Sequence, residues 1–324
     1  MNCRRLVCFV TVFLGFTVFS YAQSLEEVIE ARNNGTELMA AGELDSAIEL
    51  FEKCIELASN VGEEAEEHKL VVESVLPALY LRKAKAILDA RDYEGSISAL
   101  SETITAAERF NNAEIKAQAE DAIAKAYYAV GASYYQAKDY DVAIKNLEQA
   151  VARDPNMTGA YFIMGVCFQS MQNTEKMEEN YRLAMEKGAI TGDTRNAQNA
   201  KNQLSKFFYN AGVSAQKVKK WDDSIIAFSK SLEIDDTNAD AYYSLATSYN
   251  EKKSWDNVIS NAEKALELRS GADQKSLDGI YYQLGTAYAG KKDNAKACEC
   301  FKKVGDGPFY ANAKYQIETA LKCN

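Results

Sequence analysis

The sequence predicts an all-α chain built from stacked helical hairpins. Three observations support this fold class. Proline, which breaks helices, occurs only 3 times in 324 residues, and the strong helix formers Ala, Glu, Lys and Leu are abundant. A hydrophobic content of 47% is sufficient for a substantial core and too high for a disordered chain. Apolar residues recur at helical spacing, and similar stretches return at a fixed distance along the chain.

The N-terminus, residues 1–22, has the organisation of a secretory signal peptide. Arg4 and Arg5 precede an apolar run, 6–19, and Ser20-Tyr21-Ala22 then supplies a cleavage site. The apolar run is shorter than the ~20 residues that a membrane-spanning helix needs. We therefore expect cleavage after Ala22 and export across the inner membrane. The mature chain is expected to be periplasmic or envelope-associated, with no stable insertion into the membrane.

One segment shows the repeating pattern in full. The same interval separates Gly131 from Gly165 and Gly212 from Ala246. The large, small and turn positions of the segment are Tyr127, Gly131, Tyr134, Tyr140, Ala143, Leu147, Ala150 and Pro155. This pattern resembles the tetratricopeptide repeat, a helix-turn-helix unit with a period of about 34 residues. The resemblance implies an α-solenoid, and it suggests an exported bacterial member of that family whose role is to bind proteins.

About seven such units and a final helix account for the chain after residue 22. We predict a single solenoid over residues 23–324 rather than two domains. The stretches that interrupt the regular spacing are rich in Ala, Glu, Gln and Lys, so they are predicted to be helical rather than linkers. The predicted repeats span approximately residues 28–61, 77–110, 124–157, 158–191, 205–238, 239–272 and 278–308, and a C-terminal capping helix spans 309–322.

Small residues recur where the two helices of a hairpin should approach each other most closely. These residues are Gly131, Gly165, Gly212 and Gly285, with Ala143 and Ala297 on the second helices. A bulky side chain at such a position would push the two backbones apart. We therefore expect the substitution Gly165→Leu to unstack its unit.

Charge and cysteine content limit the classes of partner. The net charge of −10 becomes −12 when the two arginines of the signal peptide are removed, which argues against nucleic acid and anionic membrane as partners. Five cysteines remain, an odd number that does not indicate a disulfide framework. Cys298 and Cys300 point to different faces of one predicted helix and should not pair with each other. The sequence leaves open whether Cys300 or Cys323 forms a disulfide.

Nothing in the sequence indicates an enzyme. His68 is the only histidine, and it lies in the acidic stretch 63–69, which predicts a solvated helix face. A metal site needs three or four converging ligands, and a catalytic triad needs a nucleophile motif that is missing here. No glycine-rich phosphate-binding loop occurs. We therefore predict no catalytic residue, no metal site and no cofactor.

A row of paired aromatic residues is the candidate binding surface. In five consecutive first helices the packing position is aromatic and so is the next residue, which is rotated by about 100° towards the expected concave surface. The second rings are Tyr128, Phe162, Tyr209, Tyr243 and Tyr282, and the polar neighbours expected on this surface are Tyr135, Gln169, Asn210, Gln216, Asn250 and Gln283. Two alternatives remain open at this point: the rings bind a partner, or they pack against the neighbouring first helix.

Three functional hypotheses follow. The first is a non-catalytic protein-interaction scaffold of the bacterial cell envelope, which binds an extended peptide or a partner protein on the concave face, for example in an assembly or secretion complex. The second is an adaptor that binds carbohydrate or peptidoglycan through the same aromatic row. The third, a cytosolic chaperone adaptor, is disfavoured by the predicted signal peptide and by the scattered placement of basic residues on the first helices.

Overall fold

The structure is a computed structural model that describes residues 24–323, so the predicted signal peptide lies outside the described residues. As predicted, residues 24–323 are all-α and contain no β-strand. A 3-10 turn, Glu63–Ala65, and a π-helical turn, Gln316–Ala320, accompany the α-helices. The α-helices of this range are α1 Leu25–Ala41, α2 Leu44–Val61, α3 Glu66–Asp89, α4 Tyr93–Arg109, α5 Ala113–Gln136, α6 Tyr140–Arg153, α7 Thr158–Ser170, α8 Thr174–Thr191, α9 Thr194–Lys217, α10 Trp221–Ile234, α11 Ala239–Glu251, α12 Trp255–Leu268, α13 Gln274–Gly290, α14 Asn294–Lys302 and α15 Tyr310–Tyr315.

The helices group into two compact units, with the boundary inside α5 between Ala126 and Tyr127. In the N-terminal unit, α1 pairs with α2 and α3 pairs with α4. In the C-terminal unit, α7 pairs with α8, α9 with α10, α11 with α12 and α13 with α14, and each second helix also packs on the next first helix. Each unit is therefore a stack of helical hairpins. The prediction of one uninterrupted solenoid over residues 23–324 stays a prediction.

The stretches that interrupt the regular repeat spacing are helical, as predicted. They lengthen the first helices α3, α5 and α9 to 24 residues each, whereas α7 and α11 have 13 residues. Extra turns at the start of a first helix thus accommodate the additional residues without a loop.

Tight turns join the two helices of each hairpin. In the turn after α7, Gln172 has φ of 60°, and the amide of Asn173 donates to the carbonyl of Phe168 at 2.9 Å. The side chain of Asn173 then caps α8 by accepting from the amide of Lys176. This geometry reverses the chain within a few residues and satisfies the terminal helix groups. The equivalent left-handed residues of the other turns are Gly42, Arg91, Lys138, Lys219, Lys253 and Lys292.

The close approach predicted at the small residues is confirmed. A Cβ atom at Gly165 would lie 2.6 Å from the ring of Tyr181, which lies on the second helix of the same hairpin. The same offset in sequence recurs in every hairpin, and the pairs are Gly35 with Phe51, Ala84 with Leu100, Gly131 with Leu147, Gly165 with Tyr181, Gly212 with Phe228, Ala246 with Ala262, and Gly285 with Phe301. At each of the five glycines an added Cβ would lie within 2.7 Å of the paired side chain.

The contact between α7 and α8 is mainly apolar. Met177 and Tyr181 on α8 are fully buried in one core cluster with Met164 and Cys167 of α7. The Tyr181 hydroxyl donates to Gln169 Oε1 at 2.8 Å, so the one polar atom of the buried ring is satisfied. We call Met164, Gly165, Met177 and Tyr181 the apolar seam.

The contacts between α9, α10 and α11 contain five buried serines. Ser224 Oγ of α10 lies 2.8 Å from Ser248 Oγ of α11, and Ser248 donates to the carbonyl of Ser244 at 3.1 Å. Ser231 of α10 donates to the carbonyl of Ser205 of α9 at 2.9 Å. We call Ser205, Ser224, Ser231, Ser244 and Ser248 the serine seam. Phe228 is buried on the same helix as Ser224 and Ser231.

The C-terminal cap consists of α15 and the π-helical turn that follows it. A disulfide joins Cys298 of α14 to Cys323, and Cys300 keeps a free thiol, which answers the question that the sequence left open. Cys54 and Cys167 are buried free thiols, and burial raises the pKa of Cys167 to about 11. These two side chains therefore act as small core residues rather than as nucleophiles.

Candidate functional site

Two of the five predicted rings pack against a glycine of the next first helix. A Cβ atom at Gly159 of α7 would lie 2.9 Å from Tyr128 Oη, and one at Gly279 of α13 would lie 2.6 Å from Tyr243 Oη. Both tyrosines are half-buried, and burial raises the pKa of both hydroxyls. Each therefore has a packing role on the neighbouring first helix, which is the second of the two alternatives left open by the sequence.

The other three rings pack on the second helix of their own hairpin. The ring centroid of Phe162 lies 6.1 Å from that of Tyr181, and that of Tyr209 lies 5.6 Å from that of Phe228. Tyr282 also stacks on Phe309, which precedes the cap, with the centroids 5.2 Å apart. All three rings are nevertheless only half-buried. They pack with one part of the ring and leave another part open to solvent.

The predicted polar residues divide into bridging, exposed and buried side chains. Gln216 of α9 donates to the carbonyl of Ser244 and to Ser248 Oγ, both at 2.8 Å, so it bridges α9 and α11. Asn210 is exposed, whereas Gln283 is only 6% exposed and donates to Thr247 Oγ1 at 3.3 Å. Because of this burial, Gln283 lies between α11 and α13 rather than on the open surface where the sequence placed it.

Two buried acceptors among these residues lack a donor in the described part of the chain. They are Asn250 Oδ1 and Gln283 Oε1. Gln169 accepts from the hydroxyl of Tyr181, and Tyr135 is half-buried against the core that contains Tyr181. Buried acceptors without a donor are uncommon in folded proteins, so this end of the row has unused hydrogen-bonding capacity.

Nine of the predicted residues belong to one regular surface feature. On each first helix of the C-terminal unit, three positions at i, i+4 and i+7 lie on one face. All fifteen of these side chains are half-buried, neither buried nor fully exposed. We call this surface the first-helix stripe, and it consists of Tyr128, Ala132, Tyr135, Phe162, Val166, Gln169, Tyr209, Val213, Gln216, Tyr243, Thr247, Asn250, Tyr282, Thr286 and Ala289.

A pocket between α7 and α9 brings Gln169 and Asn210 together. Lys206 and Phe207 also line it, and the sequence analysis did not select them. Phe207 contacts Phe208 edge to face, with ring centroids 5.4 Å apart. The sequence could have identified Lys206, which lies two residues before the packing position Phe208. Gly159 and Gly279 lie at the same offset in their repeats, and both contact a ring of the preceding repeat.

The N-terminal unit has a different surface on its first helices. A pocket there is lined by Arg82, Lys85, Asp89 and Gln118 together with four apolar residues. Arg82 donates to the carbonyl of Met39 at 3.3 Å, and Lys85 donates to Gln118 Oε1 at 3.4 Å. This surface is charged, in contrast to the first-helix stripe.

The sequence predicted a solvated helix face for His68, and the structure contradicts this. Its ring is half-buried, and its Nδ1 lies 2.8 Å from Arg32 Nη1 of α1. Because the guanidinium can only donate, this geometry requires a ring nitrogen that accepts.

Residues 24–323 contain no group of three or more His, Cys, Asp or Glu side chains arranged to hold a metal ion. Within the same residues, no helix combines the length and hydrophobicity needed to cross a membrane.

Family comparison identifies tetratricopeptide repeats in three segments. One family model of the tetratricopeptide repeat matches residues 124–157, and a second matches residues 35–61 and 279–304. The first match has the same bounds as the third predicted repeat. No curated protein matches the chain as a relative.

Solved structures of tetratricopeptide proteins resemble parts of the chain at low identity. The crystal structure of MamA protein is 19% identical, with 60% of this chain and 94% of that chain covered and a TM-score of 0.30. YrrB, described as a TPR protein with an unusual peptide-binding site, is 16% identical over 60% and 91%, with a TM-score of 0.32. The TPR2AB domain of yeast Sti1 in complex with pHSP90 is 15% identical over 91% and 96%, with a TM-score of 0.31. Likeness at this level carries no argument about function.

Proposed function

We propose that the protein is a non-catalytic interaction scaffold whose C-terminal unit binds an extended polypeptide along the first-helix stripe. The observation that supports this most directly is the uniform half-burial of all fifteen stripe positions on five first helices. Half-buried rings and amides offer contact area at a low cost in conformational entropy, which suits peptide recognition. The tetratricopeptide fold provides the surface, and the side chains of the stripe determine what it binds.

The packing of the rings favours a polypeptide over a glycan. Sugars bind to the open faces of aromatic rings, but the face of Tyr282 is stacked on Phe309. Tyr128 and Tyr243 contact the next first helix through their hydroxyl ends. Side-chain amides such as Gln169 and Asn250 lie among the half-buried rings, and this mixture suits the apolar side chains and backbone groups of an extended chain.

The binding proposal is tested with the double variant Tyr209→Ala/Tyr243→Ala. We expect loss of partner capture from a cell-envelope extract by the immobilised chain from residue 23 onwards. Because both rings are only half-buried, destabilisation should stay below the ~3 to 5 kcal/mol typical of a fully buried aromatic residue. The matched control is Tyr310→Ala/Tyr315→Ala, since these tyrosines are 42% and 58% exposed on the cap and lie outside the stripe. Undiminished capture by a folded Tyr209/Tyr243 variant would contradict the proposal.

We also propose that the chain is exported to the bacterial cell envelope and acts there in an assembly or secretion complex. The order of Arg4 and Arg5, the apolar run 6–19 and Ala22 supports this proposal. N-terminal sequencing of the protein from its native host should return Gln23 as the first residue. An intact N-terminus at Met1 would contradict export by cleavage.

A further inference from the structure

The first-helix stripe carries no charged side chain. Charged residues make up 26% of the chain, and 26% of fifteen positions would be about four. One hairpin shows the contrast most clearly: α7 has no charged residue in 13, whereas α8 has seven in 18. The net charge of −10 is therefore carried by other surfaces.

Two cations close to the stripe residues of α11 are engaged in ion pairs. Arg269 lies 6.0 Å from the centroid of the Tyr243 ring, but it forms an ion pair with Asp240 and donates to the carbonyl of Ser276 at 2.7 Å. Lys252 pairs with Asp222 of α10 at 2.6 Å. Lys206 lines the pocket that also contains Gln169 of the stripe, where its positive charge would attract an acidic partner.

From this charge distribution we infer that the stripe selects an extended polypeptide segment whose contacting side chains are uncharged. This inference rests on the proposed scaffold function and specifies the partner. A charged side chain pressed against the stripe would lose hydration and find no counter-charge among the fifteen residues, which disfavours it. Uncharged side chains lose little hydration there, and Gln169 and Asn250 offer amide groups to the backbone of the segment.

The geometry of the stack sets the length of the segment. Neighbouring packed helices lie ~8–10 Å apart, so five first helices span ~32–40 Å between the outer two. An extended chain advances ~3.3 Å per residue, so a segment of about 10–12 residues covers the stripe. Suitable probes are therefore fluorescent peptides of this length with blocked termini, in three pools matched in apolar content: uncharged, glutamate-containing and lysine-containing.

We expect the uncharged pool to bind most tightly, measured by fluorescence polarisation with the full chain from residue 23 onwards. Its Kd should change by less than about twofold between about 50 and about 500 mM NaCl, because screening acts only on charged contacts. Preference for the glutamate pool with strong salt dependence, reversed by Lys206→Ala, would overturn the inference and leave the scaffold function standing. Binding of soluble glycans in place of peptides would overturn the choice of a polypeptide. Absence of binding by all pools, together with undiminished capture by the Tyr209/Tyr243 variant, would overturn both proposals.

A charge placed within the stripe provides the sharper test. Val213→Lys puts an ammonium at a half-buried position on α9, and it should raise the Kd of the uncharged pool by roughly tenfold. Val213→Gln adds similar bulk without charge and should change the Kd by less than about threefold. Ile226→Lys, at a residue of α10 that is 58% exposed, adds the same charge on the second helix and should leave binding unchanged. Equal effects of Val213→Lys and Val213→Gln would overturn the role of charge, and thermal melts establish that each variant is folded.

Discussion

Two contacts in the C-terminal unit differ in how many buried hydrogen bonds they contain. The apolar seam between α7 and α8 holds a fully buried tyrosine ring against Gly165. The serine seam joins α9, α10 and α11 through hydroxyl hydrogen bonds such as the one between Ser224 and Ser248. Buried rings contribute several kcal/mol each, whereas a neutral hydrogen bond contributes about 1 kcal/mol net. The α9–α10 hairpin also keeps a fully buried ring, Phe228, against Gly212. The comparison teaches that hydroxyl hydrogen bonds can be added to ring packing within one repeat geometry, and that stability should be uneven along the stack.

The largest expected effect comes from removing the ring of the apolar seam. Tyr181→Ala should lower the free energy of unfolding by about 3–5 kcal/mol, because it leaves a cavity against Gly165 and an unpaired Gln169. The measurement is chemical denaturation followed by circular dichroism. A loss below about 1 kcal/mol would contradict the importance of this ring.

The double variant Gly165→Ala/Tyr181→Ala recreates the Ala246–Ala262 pair of the α11–α12 hairpin. Alone, Gly165→Ala should destabilise, since its Cβ would lie 2.6 Å from the Tyr181 ring. In the Tyr181→Ala background the same change should stabilise by about 1–2 kcal/mol, because the methyl group enters free space and alanine favours the helix. If the effect of Gly165→Ala had the same sign in both backgrounds, the close contact between position 165 and the Tyr181 ring would not be what couples the two residues.

The next largest effect concerns the end of the stack beyond the serine seam. The Cys298–Cys323 disulfide closes a 25-residue separation, so Cys298→Ser should cost about 3 kcal/mol in the stability of the cap and of α14. If the serine seam couples its neighbours weakly, amide exchange should accelerate in α13 to α15 and change little in α7 and α8. Cys300→Ser keeps the disulfide and is the matched control. Equal acceleration in both regions would show that the seam transmits stability fully.

A smaller effect is expected within the serine seam itself. Ser248→Ala removes the hydroxyl that accepts from Gln216 and lies 2.8 Å from Ser224 Oγ, so it should cost about 1–3 kcal/mol. Ser224→Ala/Ser248→Ala removes the two serine hydroxyls together and should cost less than the sum of the single variants. Full additivity would indicate that the two hydroxyls do not act on each other.

The smallest effects are expected in the turns between helices, which have the same geometry in both regions. Gln172 and Lys253 both have positive φ, in the turns after α7 and after α11. Glycine adopts this conformation without strain, so Gln172→Gly and Lys253→Gly should each raise stability by up to about 1 kcal/mol. Similar gains in melting temperature at both turns would indicate that any difference in stability between the two regions comes from the seams and not from the turns. A destabilisation at either turn would contradict the assignment of strain there.

The sequence predicts the fold well because repetition makes its signal redundant. The packing role of Gly165 could be predicted, since the same small residue occurs one repeat earlier as Gly131 and returns at other first helices. The helical nature of the irregular stretches could be predicted from composition, and α3, α5 and α9 confirm it. The disulfide partner of Cys323 could not be predicted, because it depends on how the cap folds back towards α14.

The candidate site was only partly predictable. The aromatic row was found because a second ring follows each packing ring in the sequence. Gln283 was misplaced because a polar residue next to Tyr282 gives no sign that the neighbouring helix covers it. The serine seam was missed altogether, since the repeat pattern accepts any small residue at Ser224 and Ser248 and their hydrogen bond joins different helices.

The pairing of side chains within each hairpin also determines which piece of this chain can be exchanged between repeats. A first helix with Gly165 placed opposite Ala262 would leave a void the size of a ring, and one with Ala246 placed opposite Tyr181 would clash with the ring. Recombination that moves a whole hairpin keeps both members together, whereas a crossover inside a hairpin mismatches them when the two repeats carry different pairs. Between repeats with different pairs, the hairpin is thus the smallest module that this protein could duplicate, lose or shuffle without repairing its core.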